Sequence, residues 1–227
     1  QPHFLKVWRH QGWNLAYNVS AEWDAVADRY YWVKEGLKLY KRGISQNYRN
    51  PELYWDVGDT YGKKIGRSDE KAQFRRFFKS DPNKTDFPSG LDDQINPQGL
   101  DNYQVAKIHF QKSIDVERTY GIQEHIMAGA LFQSYPARAD FDYAAALQSD
   151  GLFGETAREA WESAFREWTE VYGKKEFETP GGWITLEHSN DKLQARRNEN
   201  LRKLENVPGK AERLLAECVD LYADAKN

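Results

Sequence analysis

The sequence contains little of what disulfide-linked, metal-binding and membrane-spanning proteins need. Its 227 residues include a single cysteine, Cys218, which excludes an internal disulfide and any zinc or iron–sulfur site built from several cysteines. No uncharged apolar stretch approaches the roughly 20 residues that span a bilayer, so we expect no membrane insertion by this segment. The 32 basic and 35 acidic residues give a net charge of −3, which argues against a nucleic-acid binder.

Aromatic residues, by contrast, are abundant and unevenly placed. The chain has 8 Trp and 13 Tyr, and 12 of these 21 residues fall within positions 8–61. Large aromatic side chains bury much apolar area when helices pack, and they are also enriched at recognition surfaces. The surplus in this part of the chain therefore favours either a tightly packed helical core or a binding groove.

Residues 51–84 carry a spaced pattern that predicts two helices. Tyr54, Val57, Gly58 and Tyr61 stand at positions 4, 7, 8 and 11 of this stretch, Phe74 stands at position 24, and Asp81-Pro82-Asn83 closes it. A glycine among large residues lets a second helix approach closely. The pattern resembles the tetratricopeptide repeat (TPR), an antiparallel helix pair of about 34 residues. Trp8 and Gly12 repeat the spacing of Tyr54 and Gly58, 46 residues earlier.

A third stretch continues the rhythm and sets the predicted architecture. Its positions are filled by Phe141, Ala144, Ala145, Ala157, Trp161 and Ala164. We therefore predict an all-α fold, a TPR-like α-solenoid of antiparallel helix pairs with long irregular loops and a C-terminal capping helix. That last helix is expected to begin after Pro208 and to carry Leu214, Leu215, Cys218, Val219 and Tyr222 on one face.

Loop-forming residues divide the chain into four predicted sections. Residues 1–84 are predicted to form N-terminal repeats, and the Pro-, Gly- and Asp-rich residues 85–101 a loop or linker. Residues 102–178 form a second helical section, in which 102–120 is one helix and 121–137 is irregular or contains a short helix. Residues 179–227 hold a β-like stretch at 183–186 and charged helices.

Five residues are predicted to bind a partner. The aromatic ones are not explained by the repeat pattern, and the basic ones lie one turn apart on the helix face opposite a stripe of phenylalanines. Aromatic side chains anchor a bound peptide, and cations fix its carboxylates. The alternative for the aromatic residues is core packing, and for the basic ones a solvated helix face. The predicted partner-binding residues are Trp32, Tyr48, Trp55, Lys71 and Arg75.

No complete catalytic constellation occurs in the sequence. There is no G-x-S-x-G or H-E-x-x-H motif, and the five histidines are scattered, so we predict no catalytic residue, no metal site and no cofactor. The alternative is a carbohydrate-binding protein or hydrolase. It depends on the aromatic density and on Glu22, Asp24 and Asp28 near Trp23, with the two aspartates one turn apart on a predicted helix.

Longer phrases extend the resemblance beyond single repeats. They are QGWNLAYNVSAEWD at 11–24, LYWDVGDTYGKKIGRSDEKAQFRRFF at 53–78 and FDYAAALQSDGLFGETAREAWESA at 141–164. They are similar to a family of large TPR-containing proteins of planctomycete bacteria, for which no activity is established. The resemblance implies an upstream hydrophobic segment and a place at the cell envelope. It agrees with a chain that begins at Gln1, which we interpret as a mature product or a fragment of a longer protein.

These observations together predict a non-enzymatic scaffold. The expected activity is binding of a partner peptide or subunit, or self-assembly, through an aromatic and basic groove. The identity of the partner does not follow from the sequence.

Overall fold

The computed structural model describes residues 4–122, 129–179, 181–185 and 190–204, with positions 209, 213, 216, 217, 219 and 220 beyond them. The chain divides into two compact units, Gln1–Met127 and Ala128–Asn227. The described part is mostly helical, which confirms the all-α prediction at the level of fold class.

Five helices build the described part of the first unit, residues 4–122, and local sequence signals fix several of their ends. Asn50 caps one helix by accepting a 2.9 Å hydrogen bond from the Glu52 amide, with Pro51 at the first helical position. Asp101 is the N-cap of another helix and forms a capping box there. Gly121, at a φ of +67°, ends that helix. The helices are α1 (Leu5–Asn14, continuing as a π-helix over Leu15–Val19), α2 (Val26–Gln46), α3 (Pro51–Asp59, continuing as a π-helix over Thr60–Ile65), α4 (Lys71–Lys79) and α5 (Asn102–Tyr120).

Three glycines bring the backbones of α1 and α2 into contact, and we call Gly12, Gly36 and Gly43 the glycine seam. A Cβ atom on Gly36 would lie 2.7 Å from the Gly12 carbonyl oxygen. One on Gly12 would lie 2.5 Å from the ring of Tyr40, and one on Gly43 would lie 3.0 Å from Trp8. A Cβ atom at Gly36 would clash with backbone, whereas one at Gly12 or Gly43 would press on the side chain of Tyr40 or Trp8, so the seam keeps the two helices close together.

Helix α3 packs most extensively against α5, not against α4 as the repeat pattern implies. A Cβ atom on Gly58 would lie 2.7 Å from the ring of Phe110 in α5, so the close approach predicted at this glycine is made by a different helix. Ser113 of α5 also donates a 2.7 Å hydrogen bond to the Pro51 carbonyl. The pairing differs because α5 buries a longer apolar face than the two-turn α4.

The segment between α4 and α5 belongs to the core of the first unit and does not act as a linker. Lys34 is only 3% exposed. Its ammonium lies 2.5 Å from the Asp81 carboxylate and 3.3 Å from the Asp92 carboxylate. The Tyr61 hydroxyl donates to the carbonyl of buried Ile95 at 2.9 Å. The boundary between the two units consequently falls after α5, whereas the sequence suggested the 85–101 loop. Buried charges that pair with each other hold this loop in place.

The second unit contains a helix pair, a hairpin and a further helix. Its elements are α6 (Gly129–Ser149), α7 (Glu155–Arg166, continuing as a π-helix over Glu167–Tyr172), β1 (Glu176–Thr179), β2 (Gly182–Thr185) and α8 (Asn190–Leu204). Ala144, Leu147, Ala160 and Trp161 form a core cluster of α6 and α7, and two of them, Ala144 and Trp161, are positions of the third repeat-like stretch. The two strands pair antiparallel, with Phe177 opposite Ile184, which confirms the β-like stretch.

Two predictions in the second unit need comment. Helix α6 begins at Gly129 and includes Pro136, so the described residues 129–137 of the stretch expected to be irregular or to contain a short helix belong to a long helix. Burial of Phe132, Pro136 and Ala137 along this helix outweighs the local preference of proline against helix. The predicted capping helix after Pro208, with Leu214, Leu215 and Cys218, lies largely outside the described residues.

We predict that Gly36→Ala lowers the free energy of unfolding by about 1–3 kcal/mol, because the new methyl group meets backbone of α1 that cannot rotate away. Gly62→Ala is the matched control, since its Cβ would lie 3.7 Å from Ala106, an ordinary contact. The control should be neutral or slightly stabilising, because alanine favours helix. Urea unfolding of both variants checks this. Equal stability of the two would contradict the seam as a steric constraint.

Candidate functional site

Two stripes of side chains, one along α1 and one along α3, face each other in the first unit. Arg9, Trp13 and Tyr17 follow one another at four-residue intervals along α1 and its π-helical extension. Asp56 and Asp59 lie on one face of α3, below Glu52. The glycine seam places α1 against α2, so that the ring of Tyr40 lies beneath Gly12 and between the stripes.

Arg9 joins the two stripes. Its guanidinium donates from Nε to one Asp56 oxygen at 2.6 Å and from Nη2 to the other at 3.0 Å. Its Nη1 donates to Glu52. Such bidentate pairs fix geometry as well as charge, so Arg9 holds α1 at a defined position over α3.

Beside this ion cluster the helices leave a cleft of about 250 Å³, which we call the aromatic–acidic cleft. The Trp13 indole is 44% exposed and lies stacked between His10, at 6.4 Å, and Tyr17, at 5.7 Å between ring centroids. Half-buried Trp55 from α3 packs on Phe110 and forms another part of the wall. The lining residues are Arg9, His10, Trp13, Tyr17, Tyr40, Trp55, Asp56, Asp59 and Thr60.

The two aspartates of the cleft have different surroundings. Asp56 is buried and bound by Arg9, and burial raises the pKa of its carboxyl although the arginine opposes the shift. Asp59 makes no hydrogen bond or ion pair within the described residues. Burial, with a contribution from the charge of Asp56, raises the pKa of Asp59 to about 6 against the attraction of Lys63 and Arg67. In this cleft Arg9 is therefore paired with Asp56, whereas no described residue binds Asp59 with a cation.

Both stripes change from α-helix to π-helix at the cleft. Tyr17 lies within the π-helical Leu15–Val19, and the π-helix Thr60–Ile65 begins directly after Asp59. Thr60, which is buried, directs its hydroxyl to the Asp56 carbonyl at 2.8 Å. Single π-helical turns are rare and occur often at functional sites, which makes this cleft the strongest candidate site in the first unit.

The structure places one of the five predicted partner-binding residues at this cleft. That residue is Trp55. Trp32 packs against Trp23 and Tyr31 in the first half of α2, with ring centroids 6.1 and 5.4 Å apart. Tyr48 is 49% exposed, lies beyond the end of α2 and contacts Tyr120. Trp32 and Tyr48 are about 20 Å apart along the helix axis, so the structure does not bring these aromatic residues together.

The two predicted basic residues lie on α4. Lys71 is exposed at its first position. Arg75 donates to Asp101 at 3.1 Å, and Lys79 on the same face lies 3.0 Å from the same carboxylate. Since Asp101 is the N-cap of α5, these two cations stabilise the beginning of that helix.

The carboxylates suggested for acid–base chemistry are also apart from the cleft. Helix α2 begins at Val26, so Asp24 lies in the bend before it, and Asp28 lies in its first turn. The prediction of one helix carrying both was therefore wrong. Glu22, Asp24 and Asp28 are all exposed.

Sequence reasoning missed Arg9, Trp13, Tyr17, Asp56 and Asp59. The available signal was the four-residue spacing on α1 and the three-residue spacing of the aspartates on α3, each of which marks one helix face. That the two faces meet depends on packing that neither spacing encodes.

Comparison with known proteins adds no family. A scan against protein-family models, a search of curated proteins and a search of solved structures each found no match. Among the described residues no group of three or more His, Cys, Asp and Glu is placed to hold a metal ion. In that same part of the chain, no helix combines the length and apolar character needed to cross a membrane.

We predict that Asp59→Asn stabilises the protein near neutral pH. Because folding raises the pKa of Asp59 from 3.8 to about 6, the folded state keeps a proton that the unfolded state loses as the pH rises through this window. The parent therefore loses stability between these values, by on the order of 1–3 kcal/mol, and asparagine removes this cost.

Urea unfolding at about pH 4 and about pH 7.5 measures the effect, with the stabilisation present at the higher pH and nearly absent at the lower. Asp93→Asn, at an exposed position of the loop, is the matched control and should show no such difference. A pH-independent effect of Asp59→Asn would contradict the burial of this carboxyl.

Proposed function

We propose that the chain is a non-enzymatic interaction module that binds a partner protein by taking one of its basic side chains into the aromatic–acidic cleft. The observation that carries the proposal is the Asp59 carboxyl, which lies in an aromatic wall with no cation bound to it by the described residues. A partner cation would supply the missing charge.

Charge complementarity supports a cationic occupant. Glu52, Asp56 and Asp59 bring three carboxylates to this face of α3, and Arg9 is the cation bound to the first two of them. Of the residues that line the cleft, Arg9 is cationic and Asp56 and Asp59 are acidic, so the ionised lining is net negative, with Lys63 and Arg67 acting on Asp59 from outside it. Complementary potentials of this kind accelerate association and select against partners of the wrong charge.

The aromatic walls favour the same occupant. The Trp13 indole is 44% exposed at the cleft, and a lysine or arginine side chain is attracted to such a ring. The neighbouring Tyr17 ring already has the Lys64 ammonium 5.3 Å from its centroid, which shows that a cation fits against this wall. A volume of about 250 Å³ suits a single long side chain. It lies below the roughly 300–1,000 Å³ typical of sites for whole small molecules.

The architecture is compatible with this role. Antiparallel helices joined by loops present grooves in repeat proteins, and the predicted TPR-like solenoid would place such grooves in series. We keep that arrangement as part of the proposal, together with the absence of enzymatic activity. A groove lined by arginine and lysine is not part of it, because Arg75 and Lys79 bind Asp101.

A second candidate is carbohydrate binding, which the exposed part of the Trp13 side chain favours. The indole is held in place by His10 and Tyr17, and the 44% of the residue that stays exposed offers apolar contact area for a sugar ring. The two candidates differ in charge, since a neutral sugar would not depend on the ionisation of Asp59.

We expect an acetyl-Gly-Arg-Gly-amide peptide to bind the cleft and to shift the side-chain NMR signals of Trp13 and Trp55. The same peptide with citrulline in place of arginine is the neutral control of nearly equal shape. Asp59→Asn should weaken binding of the arginine peptide by about 10-fold, the effect of losing one charge-assisted hydrogen bond.

Asp93→Asn provides the matched protein control and should bind like the parent. Equal binding of the arginine and citrulline peptides, or an unchanged affinity in Asp59→Asn, would contradict a cation site. Binding of neutral oligosaccharides with the same tryptophan shifts would favour the second candidate.

A further inference from the structure

A second cleft of opposite charge lies between α2 and the loop that precedes α5. It has a volume of about 610 Å³, and we call it the cationic cleft. Its floor and walls are formed by side chains on one face of α2 and by Gln94 of the loop. The lining residues are Glu35, Lys38, Lys41, Arg42, Ser45 and Gln94.

The cations of this cleft outnumber its carboxylates. Glu35 is the acidic residue in the lining, and it binds Lys38 at 2.9 Å. Lys41 and Arg42 form no ion pair with any described residue. Three positive charges and one negative charge therefore meet in one concavity, which leaves two cations without a bound carboxylate.

The Lys41 ammonium has hydrogen-bond donors left with which to bind an anion. Its ammonium donates to the Gln94 carbonyl at 2.5 Å and lies 5.6 Å from the ring centroid of Tyr61. An ammonium has three donors, and this neutral acceptor occupies one of them. Burial lowers the pKa of Lys41, against the attraction of Asp92.

The imidazole of His109 is a further buried group at this end of the first unit. Its ring centroid lies 5.5 Å from that of Tyr61, and its Nδ1 atom is buried without a hydrogen-bond partner. Burial, and then the charge of Lys41, lowers the pKa of His109 to about 4, so the ring is neutral at physiological pH. His109 consequently adds no cation that would compete with Lys41 for an anion.

The loop wall is held in place before any ligand arrives. The backbone amide of Gln94 donates a 3.0 Å hydrogen bond to the Asp92 side chain, and Asp92 also forms an ion pair with the buried Lys34. The Tyr61 hydroxyl fixes the neighbouring Ile95 carbonyl. A site whose acceptor and donor groups are already positioned loses little entropy on binding.

We propose that the cationic cleft binds a small organic oxyanion that carries at least two negative charges as phosphate or carboxylate groups. Lys41 and Arg42 bind the anionic groups, with Arg42 suited to a bidentate contact. The volume lies within the range of small-molecule sites and exceeds what a single phosphate fills. This site uses none of the residues that line the aromatic–acidic cleft, so it stands independently of the proposed function.

Isothermal titration of the full chain with pyrophosphate and, separately, with citrate tests the proposal. Both titrations are run at the same ionic strength, with sodium chloride as the control for general screening. We expect saturable binding of at least one anion, and the one preferred identifies the ligand as phosphate or carboxylate. The absence of saturation by either up to about 10 mM would overturn the proposal.

Variants locate the site. Lys41→Gln and Arg42→Gln should each weaken binding by about 10-fold or more, the loss expected for one charge-assisted hydrogen bond. Lys112→Gln removes the same charge from an exposed position of α5 and should leave the affinity unchanged. Lys41→Arg keeps the positive charge, so its affinity separates the loss of charge in Lys41→Gln from a loss of folding. Circular dichroism reports directly whether each variant folds. Equal weakening by Lys112→Gln and Lys41→Gln would assign the binding to net charge and contradict this site.

Discussion

The close contact between the backbones of α1 and α2 at the glycine seam is the constraint on which the first unit depends. With Gly36 against the Gly12 carbonyl and Gly12 against Tyr40, α1 packs closely on α2. That position brings Arg9 within reach of Asp56 and sets Trp13 and Tyr17 at the edge of α3. The candidate site is therefore a consequence of backbone packing, since the side chains that line it come from three helices.

The electrostatics of the unit follow from how its buried charges are paired. Arg9 binds Asp56 and Glu52, and Lys34 binds Asp81 and Asp92, whereas the partly buried Asp59 and Lys41 form no ion pair with any described residue. Unbalanced charge in a concave site is costly unless a ligand supplies the opposite sign. Tyr40 and Lys41, consecutive on α2, point to different clefts because adjacent helical residues project about 100° apart.

The sequence was sufficient for elements whose signals are local. The helix over 102–120 is observed between the same residues, because Asp101 caps it and Gly121 ends it. The partner of α3 could not be read in the same way, because α5 reaches it only after the intervening loop folds back onto Lys34. Trp55 lines the cleft and had been predicted as a partner-binding residue, a role that stays a prediction. Asp59 was not predicted, because its partial burial depends on the packing of α1 and α2 beside α3.

A direct measurement of the Asp59 ionisation tests the central claim of this account, that a partly buried carboxyl, bound by none of the described residues, lies in the wall of the aromatic–acidic cleft. The ¹³C chemical shift of the Asp59 carboxyl, followed by NMR as the pH changes, gives its pKa without reference to overall stability. The structure predicts a midpoint of about 6, and the arginine peptide should lower it by offering a partner to the charged form. A midpoint at the ordinary value of 3.8, unchanged by the peptide, would contradict both the burial of this group and its proposed role.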